Sequence, residues 1–252
     1  MPANVITRFL PARFPFAVAL FALVAGGLGA EILPLRPSMG GENAGIGIDR
    51  SGYDPVYPPG MLYEAIYSGE ARIAISVDAE GKLSDYLVIA YTQEEFAKVA
   101  VAALKRWRYH PALVRGEARA SRAEIVFEFK DKGVIVQSLP GALERRMILG
   151  GLGDRYVYAP CLVGELDETP LLLEPVKPAI KGDGKPHTII VEFYIDEEGR
   201  ARMPAVERQS MDDHYAAAAV MAVEQWRFSP PLRKGRPVLV RAQQKFSFDA
   251  KP

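Results

Sequence analysis

The chain has 252 residues and carries 31 Lys and Arg residues against 31 Asp and Glu residues, so its formal net charge at pH 7 is zero. A balanced charge argues against a nucleic-acid-binding protein, because phosphate binding needs a basic surplus on one face. The single cysteine excludes an intramolecular disulfide and a cysteine-based zinc site, and three histidines leave little room for a histidine-rich metal centre.

Residues 1–30 have the composition of an export signal. Arg8 and Arg13 precede an apolar stretch, residues 16–30, that ends in small residues. The stretch is shorter than the roughly 20 residues that a membrane-spanning helix needs. We therefore expect a secretory signal peptide, with an uncleaved N-terminal anchor as the alternative, and an exported mature chain. The glycine-rich residues 31–53 are predicted to form a flexible lead.

The rest of the chain contains a repeat. Both tryptophans begin the phrase Trp-Arg-aromatic-x-Pro, at Trp107 and at Trp226, an offset of 226 − 107 = 119. An Asp-x-x-Gly motif precedes each phrase and a Phe-x-Phe motif follows it. Ordered matches of this kind indicate two homologous domains. We assign the ranges as first domain 54–130, connector 131–165 and second domain 166–252.

Each copy begins with a predicted hairpin. Large apolar residues recur at every second position over residues 73–77 and 191–195, which is the period of a half-buried strand. The Asp-x-x-Gly motif that follows favours a tight turn, because aspartate bonds to nearby backbone and glycine accepts a positive φ. Pro204 predicts that the next strand of the second copy lies at an edge or contains a bulge. The predicted turn residues are Asp78, Gly81, Asp196 and Gly199.

A helix and a third strand complete each copy. Apolar residues recur at helical spacing over residues 96–107 and 215–226, and Thr92 with Glu95 resembles a capping box. The order strand, strand, helix, strand predicts an α+β protein with two tandem small domains, each a three-stranded antiparallel sheet with a helix on one face. The predicted core residues are Trp107, Tyr109, Trp226 and Phe228.

We find no catalytic constellation in the sequence. Ser210 and His214 share one helix face, but a capping role for Ser210 is the simpler interpretation. Asp78 and Asp196 each belong to a turn of their own copy. Cys161 is expected to be a small core residue. We therefore predict a non-enzymatic protein without a metal or a cofactor.

The order of the motifs resembles the C-terminal domain of TonB. The resemblance rests on Pro-Val-Tyr-Pro at residues 55–58, the Asp-x-x-Gly turn, the helix that ends in Trp-Arg-aromatic-x-Pro, and the Phe-x-Phe strand, and it covers about residues 54–130 and 166–249. It implies a periplasmic location and binding to a short segment of an outer-membrane receptor. It also implies that this segment adds as a strand to the exposed third strand of the domain.

The third strands are thus the predicted binding sites, because an edge strand can accept another chain through main-chain hydrogen bonds. Charges on the same strands are also typical of protection against unwanted pairing, and the resemblance favours binding. We expect a periplasmic protein that binds an extended peptide of a TonB-dependent receptor or another envelope protein, in connection with TonB-dependent transport. An envelope scaffold or homodimer that uses the same edges is the alternative. The predicted partner-binding residues are Arg119, Arg122, Glu124, Val126, Arg241, Gln243 and Lys245.

Overall fold

The computed structural model describes residues 45–50, 52–131, 133–140, 156–180, 186–206 and 214–248. Over these ranges the chain forms two antiparallel sheets, each with a long helix packed against one face. This confirms the predicted α+β class with two tandem small domains. The predicted signal peptide at residues 1–30 lies outside the described residues, as does Ser210.

The first domain has a short strand and a short helix ahead of its central sheet. Its elements in chain order are β1 (Gly47–Asp49), α1 (Pro59–Tyr63), β2 (Ser68–Val77), β3 (Leu83–Tyr91), α2 (Glu94–Leu104), β4 (Arg108–His110), β5 (Ala112–Val114), β6 (Glu117–Arg119), β7 (Ser121–Lys130) and β8 (Gly133–Pro140). The sheet order is β3–β2–β7–β8, and β5 pairs with β6. Because β1 pairs with β4, residues 47–49 of the predicted flexible lead form a strand instead.

The second domain repeats the central order. Its elements are a 3-10 turn (Val163–Glu165), β9 (Leu172–Glu174), β10 (His187–Ile195), β11 (Ala201–Val206), α3 (His214–Glu224), β12 (Arg227–Phe228), β13 (Leu232–Arg233), β14 (Arg236–Pro237) and β15 (Val240–Phe248). The sheet order is β11–β10–β15. β11 lies at the edge and its register against β10 shifts between Glu192 and Tyr194, as Pro204 predicted.

The two repeated motifs of the second domain meet in space. Oδ1 of Asp196 accepts hydrogen bonds from the backbone N–H groups of Glu198 and Arg200, at 3.2 and 2.8 Å, and so closes the turn between β10 and β11. Gly199 adopts φ = +79°, and its carbonyl oxygen accepts a 2.7 Å hydrogen bond from the N–H of Phe228. A Cβ on Gly199 would lie 2.1 Å from the carbonyl oxygen of Phe228, so this position requires glycine.

The first domain has the same arrangement. Oδ1 of Asp78 accepts a 2.7 Å hydrogen bond from the N–H of Lys82, and Gly81 adopts φ = +81°. A Cβ on Gly81 would lie 2.8 Å from the carbonyl oxygen of Tyr109. The Asp-x-x-Gly motif and the aromatic of the Trp-Arg-aromatic phrase therefore form one structural unit in each copy.

The tryptophans connect each core to the chain segment that enters the domain. Nε1 of Trp107 donates a 2.8 Å hydrogen bond to the carbonyl oxygen of Tyr53, and Nε1 of Trp226 donates one of 2.8 Å to that of Val176. These bonds satisfy the indole N–H groups of two buried side chains. Trp107, Tyr109, Trp226 and Phe228 are all buried.

The predicted capping box of α2 is wrong. The residue that precedes the helix is Gln93, and no side chain caps the helix start. Oγ1 of Thr92 instead accepts a 2.9 Å hydrogen bond from the backbone N–H of Glu70 at the start of β2. Thr92 therefore joins the end of β3 to the neighbouring strand, a long-range contact that helix-start patterns do not reveal.

The sheet faces that the helices leave uncovered pack against each other. A buried apolar cluster joins Ala74, Leu87 and Ile89 of the first sheet to Tyr194, Met203 and Leu239 of the second domain. Ion pairs flank the cluster, with Arg202 at 2.7 Å from Asp85 and Arg122 at 2.9 Å from Glu224. Each domain thus covers the second face of the other domain's sheet, and both helices lie outside.

Candidate strand-binding edge

The third strand of the first domain, β7, is an interior strand. β8 follows it through a tight link and pairs with it antiparallel from Lys130 opposite Gly133 to Ala123 opposite Pro140. On its other side β7 pairs with β2 along its whole length. The expectation that this third strand is an exposed edge is therefore wrong, because the residues assigned to the connector supply a fourth strand.

Two residues predicted for binding in the first domain form ion pairs within the chain. Arg119 ends the exposed β6, where its guanidinium lies 2.7 Å from the carboxylate of Glu117. Arg122 lies on β7 and donates a 2.9 Å hydrogen bond to Glu224 of the second domain. Arg119 thus belongs to a surface hairpin and Arg122 to the contact between the domains.

The other two predicted residues, Glu124 and Val126, are buried. The guanidinium of Arg72 lies 2.9 Å from the carboxylate of Glu124 and 2.7 Å from that of Glu70, and its Nε donates to the Tyr156 hydroxyl at 3.0 Å. Tyr156 in turn donates to Glu70. We call Glu70, Arg72, Glu124 and Tyr156 the Arg72 cluster. Its charged side chains are at most 7% exposed, so they stabilise the sheet face rather than meet a partner.

Burial acts on the pKa values in the Arg72 cluster. It lowers the pKa of the Arg72 guanidinium, but the hydrogen bond to Glu70 and the charge of Glu124 outweigh this effect and raise that pKa overall. Burial, followed by the hydrogen bond to Glu70, raises the pKa of Tyr156 to about 12. The folded state therefore favours the protonated phenol of Tyr156.

We expect the stability of the first domain to fall at alkaline pH. The folded pKa of Tyr156 is raised above its value of 10.0 in the unfolded chain, so its contribution is fully present below pH 10.0 and is lost as the pH rises towards about 12. Tyr156→Phe should therefore lose less stability over this window than the unmodified chain, as measured by urea midpoints. Tyr63→Phe, at a side chain 93% exposed, is the control and should follow the unmodified chain.

The third strand of the second domain, β15, does lie at the edge of its sheet. The N–H of Arg241 donates to the carbonyl oxygen of Cys161 at 3.4 Å, and the N–H of Cys161 donates to that of Leu239 at 2.8 Å. These bonds show that odd-numbered residues of β15 direct their backbone groups away from β10. Because N–H and C=O direction alternates along a strand, Gln243, Lys245 and Ser247 also present theirs outward, and no described strand pairs there.

The side chains of β15 differ in their burial and in their contacts. Arg241 lies 2.8 Å from the carboxylate of Glu192 on β10. Gln243 and Lys245 are exposed, whereas Phe246 and Phe248 are buried beneath α3. The structure thus places Gln243 and Lys245, two of the predicted binding residues, along an edge of β15 at which no described strand pairs.

Other candidate reactive groups have structural roles. Cys161 is buried, and burial raises the pKa of its thiol. Asp78 and Asp196 close their own turns, as described above. Within the described ranges, no group of three or more His, Cys, Asp or Glu side chains could hold a metal ion. No helix in those ranges is long and apolar enough to cross a membrane.

Comparison with known proteins identifies the repeated unit. The family described as Gram-negative bacterial TonB protein C-terminal matches residues 54–130 and 180–250. The chain belongs to this family. Comparisons with curated proteins and with solved structures gave no match. The TonB-like chain thus carries two copies of the TonB C-terminal domain, one in each half.

Membership of the TonB family gives the chain a functional context. Members are non-enzymatic energy transducers of the envelope, and they generally interact with outer-membrane receptors. Membership of the family thus suggests a link to TonB-dependent transport. The first family match ends at residue 130, the last residue of β7, so β8 lies outside the matched region.

Proposed function

We propose that this TonB-like chain is an exported, non-enzymatic binding module that accepts an extended segment of an envelope protein by strand addition. The segment pairs with the outer edge of β15, and the expected partner is a TonB-dependent outer-membrane receptor. The observation that carries the proposal is the row of outward backbone groups at Gln243, Lys245 and Ser247. Such a row accepts an extended chain through main-chain hydrogen bonds.

Gln244 supports the assignment of this edge. Its Nε2 donates a 2.8 Å hydrogen bond to the outward carbonyl oxygen of Lys245, a bond that the N–H of an added strand would replace. The equivalent position of the first domain, 119 residues earlier, is the apolar Ile125, and there β8 runs alongside the strand. The polar side chain therefore occurs in the copy whose edge lacks a described neighbour, where it satisfies a backbone group.

The exposed charge of Lys245 favours a partner with an acidic residue. A carboxylate opposite Lys245 on the added strand would form a cross-strand pair worth roughly 0.2–1 kcal/mol. Two copies of β15 paired antiparallel about Lys245 would instead bring two ammonium groups together, which is unfavourable. The charge of Lys245 therefore favours a different protein over a second copy of the chain at this edge.

A proline substitution tests the proposal at the backbone. Lys245→Pro removes an outward N–H without removing a bond to β10, because edge strands tolerate proline where the N–H faces solvent. One lost hydrogen bond and the clash of the ring should weaken peptide binding by about tenfold or more. Lys245→Ala keeps the N–H and is the matched control, with a loss below about fivefold.

The measurement is a titration of a receptor-derived peptide into isotope-labelled chain. Strand addition predicts amide shifts at Gln243, Lys245 and Ser247. Absence of shifts on β15, or equal affinity of the proline variant and the unmodified chain, would contradict the proposal. A dimer whose solution mass is unaffected by the peptide would support the scaffold function instead.

A further inference from the structure

The first domain contains a cleft that the proposed strand addition does not use. The cleft measures about 700 Å³ and lies between the turn that joins β2 to β3 and the end of α2. One wall is the chain from Gly81 to Tyr86, and the other is formed by Leu104, Lys105 and residues 107–109. The volume falls within the range of small-molecule sites, which is roughly 300–1,000 Å³.

Three exposed basic side chains surround this cleft. They are Lys82 from the turn, Lys105 directly after α2, and Arg108 from β4. Within the part of the chain that the structure describes, none of the three forms an ion pair. Asp85 also lines the cleft, but its carboxylate already lies 2.7 Å from the guanidinium of Arg202. The cleft therefore carries positive charge that no acidic side chain at its walls balances.

The end of α2 leaves these cations available to a ligand. Basic side chains near the end of a helix often bond to its last carbonyl oxygens. Here the carbonyl oxygen of Ala103 accepts a backbone N–H at 2.9 Å, and that of Leu104 accepts the Tyr109 hydroxyl at 2.8 Å. The ammonium of Lys105 instead lies 5.1 Å from the centre of the Tyr86 ring, on the opposite wall of the cleft.

The lining of the cleft also includes apolar surface. Leu83 and Tyr86 are half-buried there, and Leu104 and Trp107 are buried. Nε1 of Trp107 already donates to the carbonyl oxygen of Tyr53, so the indole offers carbon surface to the cleft rather than a hydrogen-bond donor. Basic side chains around an apolar lining fit a ligand that has both an anionic group and an apolar body.

The second domain does not have this set of charges at the corresponding positions. Arg200 occupies the position of Lys82, at an offset of 200 − 82 = 118, and lies 2.7 Å from the carboxylate of Asp196. Glu224 occupies the position of Lys105, at an offset of 224 − 105 = 119, so an acid replaces that cation. Because the second copy folds without the three unpaired cations, the repeated fold does not require them.

We propose that this cleft binds a small organic anion, a phosphate or a carboxylate attached to an apolar or aromatic body. The anionic group lies among Lys82, Lys105 and Arg108, and the apolar body contacts Leu83 and Tyr86. The planar guanidinium of Arg108 can donate to two oxygens of such a group, and the lysines add point charges. The proposal goes beyond the proposed function and does not depend on it, because β15 contributes no lining residue.

Phenyl phosphate is the probe for this cleft, added to the isotope-labelled full-length chain. Inorganic phosphate and phenol are the matched probes, because each carries one half of the proposed ligand. We expect phenyl phosphate to cause saturable amide shifts over residues 81–86 and 105–109. Its affinity should exceed that of inorganic phosphate by about tenfold, since the ring leaves water, and phenol should not saturate.

Substitutions of single cations test which side chains hold the anion. Lys105→Met and Arg108→Gln should each weaken phenyl phosphate binding by about fivefold or more, because each removes a charged hydrogen-bond donor. Neither should lower the thermal unfolding midpoint, since the charge that is removed has no acidic partner. Arg236→Gln, at an exposed cation of β14 outside the cleft, is the control and should bind like the unmodified chain.

Several results would overturn the proposal. Among them are phenyl phosphate without saturable shifts at the two walls, equal affinity for phenyl phosphate and inorganic phosphate, and cleft variants that bind like the unmodified chain. An equal loss of binding in Arg236→Gln would show attraction to the overall charge instead of a site. A lower unfolding midpoint in both cleft variants would make these cations structural. Receptor peptide that fails to shift β15 contradicts the proposed function alone, because the cleft is measured with a different ligand at different residues.

Discussion

Replacement of Arg72 by methionine is expected to lower the free energy of unfolding of the first domain by about 3–5 kcal/mol, the usual cost of removing one partner from a buried ion pair. The guanidinium lies 2.7 Å from Glu70 and 2.9 Å from Glu124, and all three side chains are buried. Methionine keeps most of the apolar stem but leaves two carboxylates in the interior without this cation. Neither carboxylate can move into water without opening the sheet face.

Arg119→Met is the matched control for this prediction. Arg119 also has a carboxylate partner, Glu117 at 2.7 Å, but both side chains are at least 61% exposed. Exposed pairs are worth about 0–1 kcal/mol, so the control should stay close to the unmodified chain. Urea denaturation with hydrogen exchange of β2 peptides measures the first domain specifically. Equal losses in the two variants would show that burial does not set the cost.

Gly199→Ala is expected to destabilise the second domain by about 3–5 kcal/mol, since it combines an unfavourable φ with overpacking and a lost hydrogen bond. The new Cβ would lie 2.1 Å from the carbonyl oxygen of Phe228, a backbone atom that cannot swing aside. Movement of this atom breaks the 2.7 Å bond from the Phe228 N–H to Gly199 and shifts a buried aromatic ring.

Gly235→Ala isolates the conformational part of this cost. Gly235 has φ = +72°, close to the +79° of Gly199, but a Cβ there would meet nothing within 4 Å. The loss should therefore be limited to roughly 1–2 kcal/mol for the left-handed backbone. Hydrogen exchange of β10 peptides during urea denaturation provides the comparison. A similar loss in both variants would mean that the close approach of Phe228 contributes nothing.

Most elements of the fold could be predicted from the sequence repeat. Its motifs predicted the hairpins, the helices and the third strands because each motif stabilises a local feature of the backbone. Gly199 is an example: it completes the turn of the Asp-x-x-Gly motif, and its carbonyl oxygen accepts a hydrogen bond from Phe228 of the Trp-Arg-aromatic phrase. The position of β8 also had a signal, since Gly133 is followed by three β-branched residues, Val134 to Val136, at hairpin distance from β7.

The side-chain roles on the third strands could not be predicted in the same way. Glu124 and Lys245 both occupy polar positions of an alternating strand, yet one is buried against Arg72 and the other is exposed. The difference arises from what covers each sheet face, and that depends on contacts between the two domains and on residues distant in sequence, such as Tyr156. Local periodicity contains no information about such contacts.

Cys161 marks where the outer edge of β15 becomes accessible to another strand. Its backbone bonds to Leu239 and Arg241 occupy the beginning of β15, so an added strand has the stretch from Ala242 to Phe248. At about 3.4 Å per residue this stretch measures roughly 24 Å. In the proposed binding mode, a segment of about seven residues covers this stretch, and one that continues past Ala242 must leave the plane of the sheet where it meets Cys161.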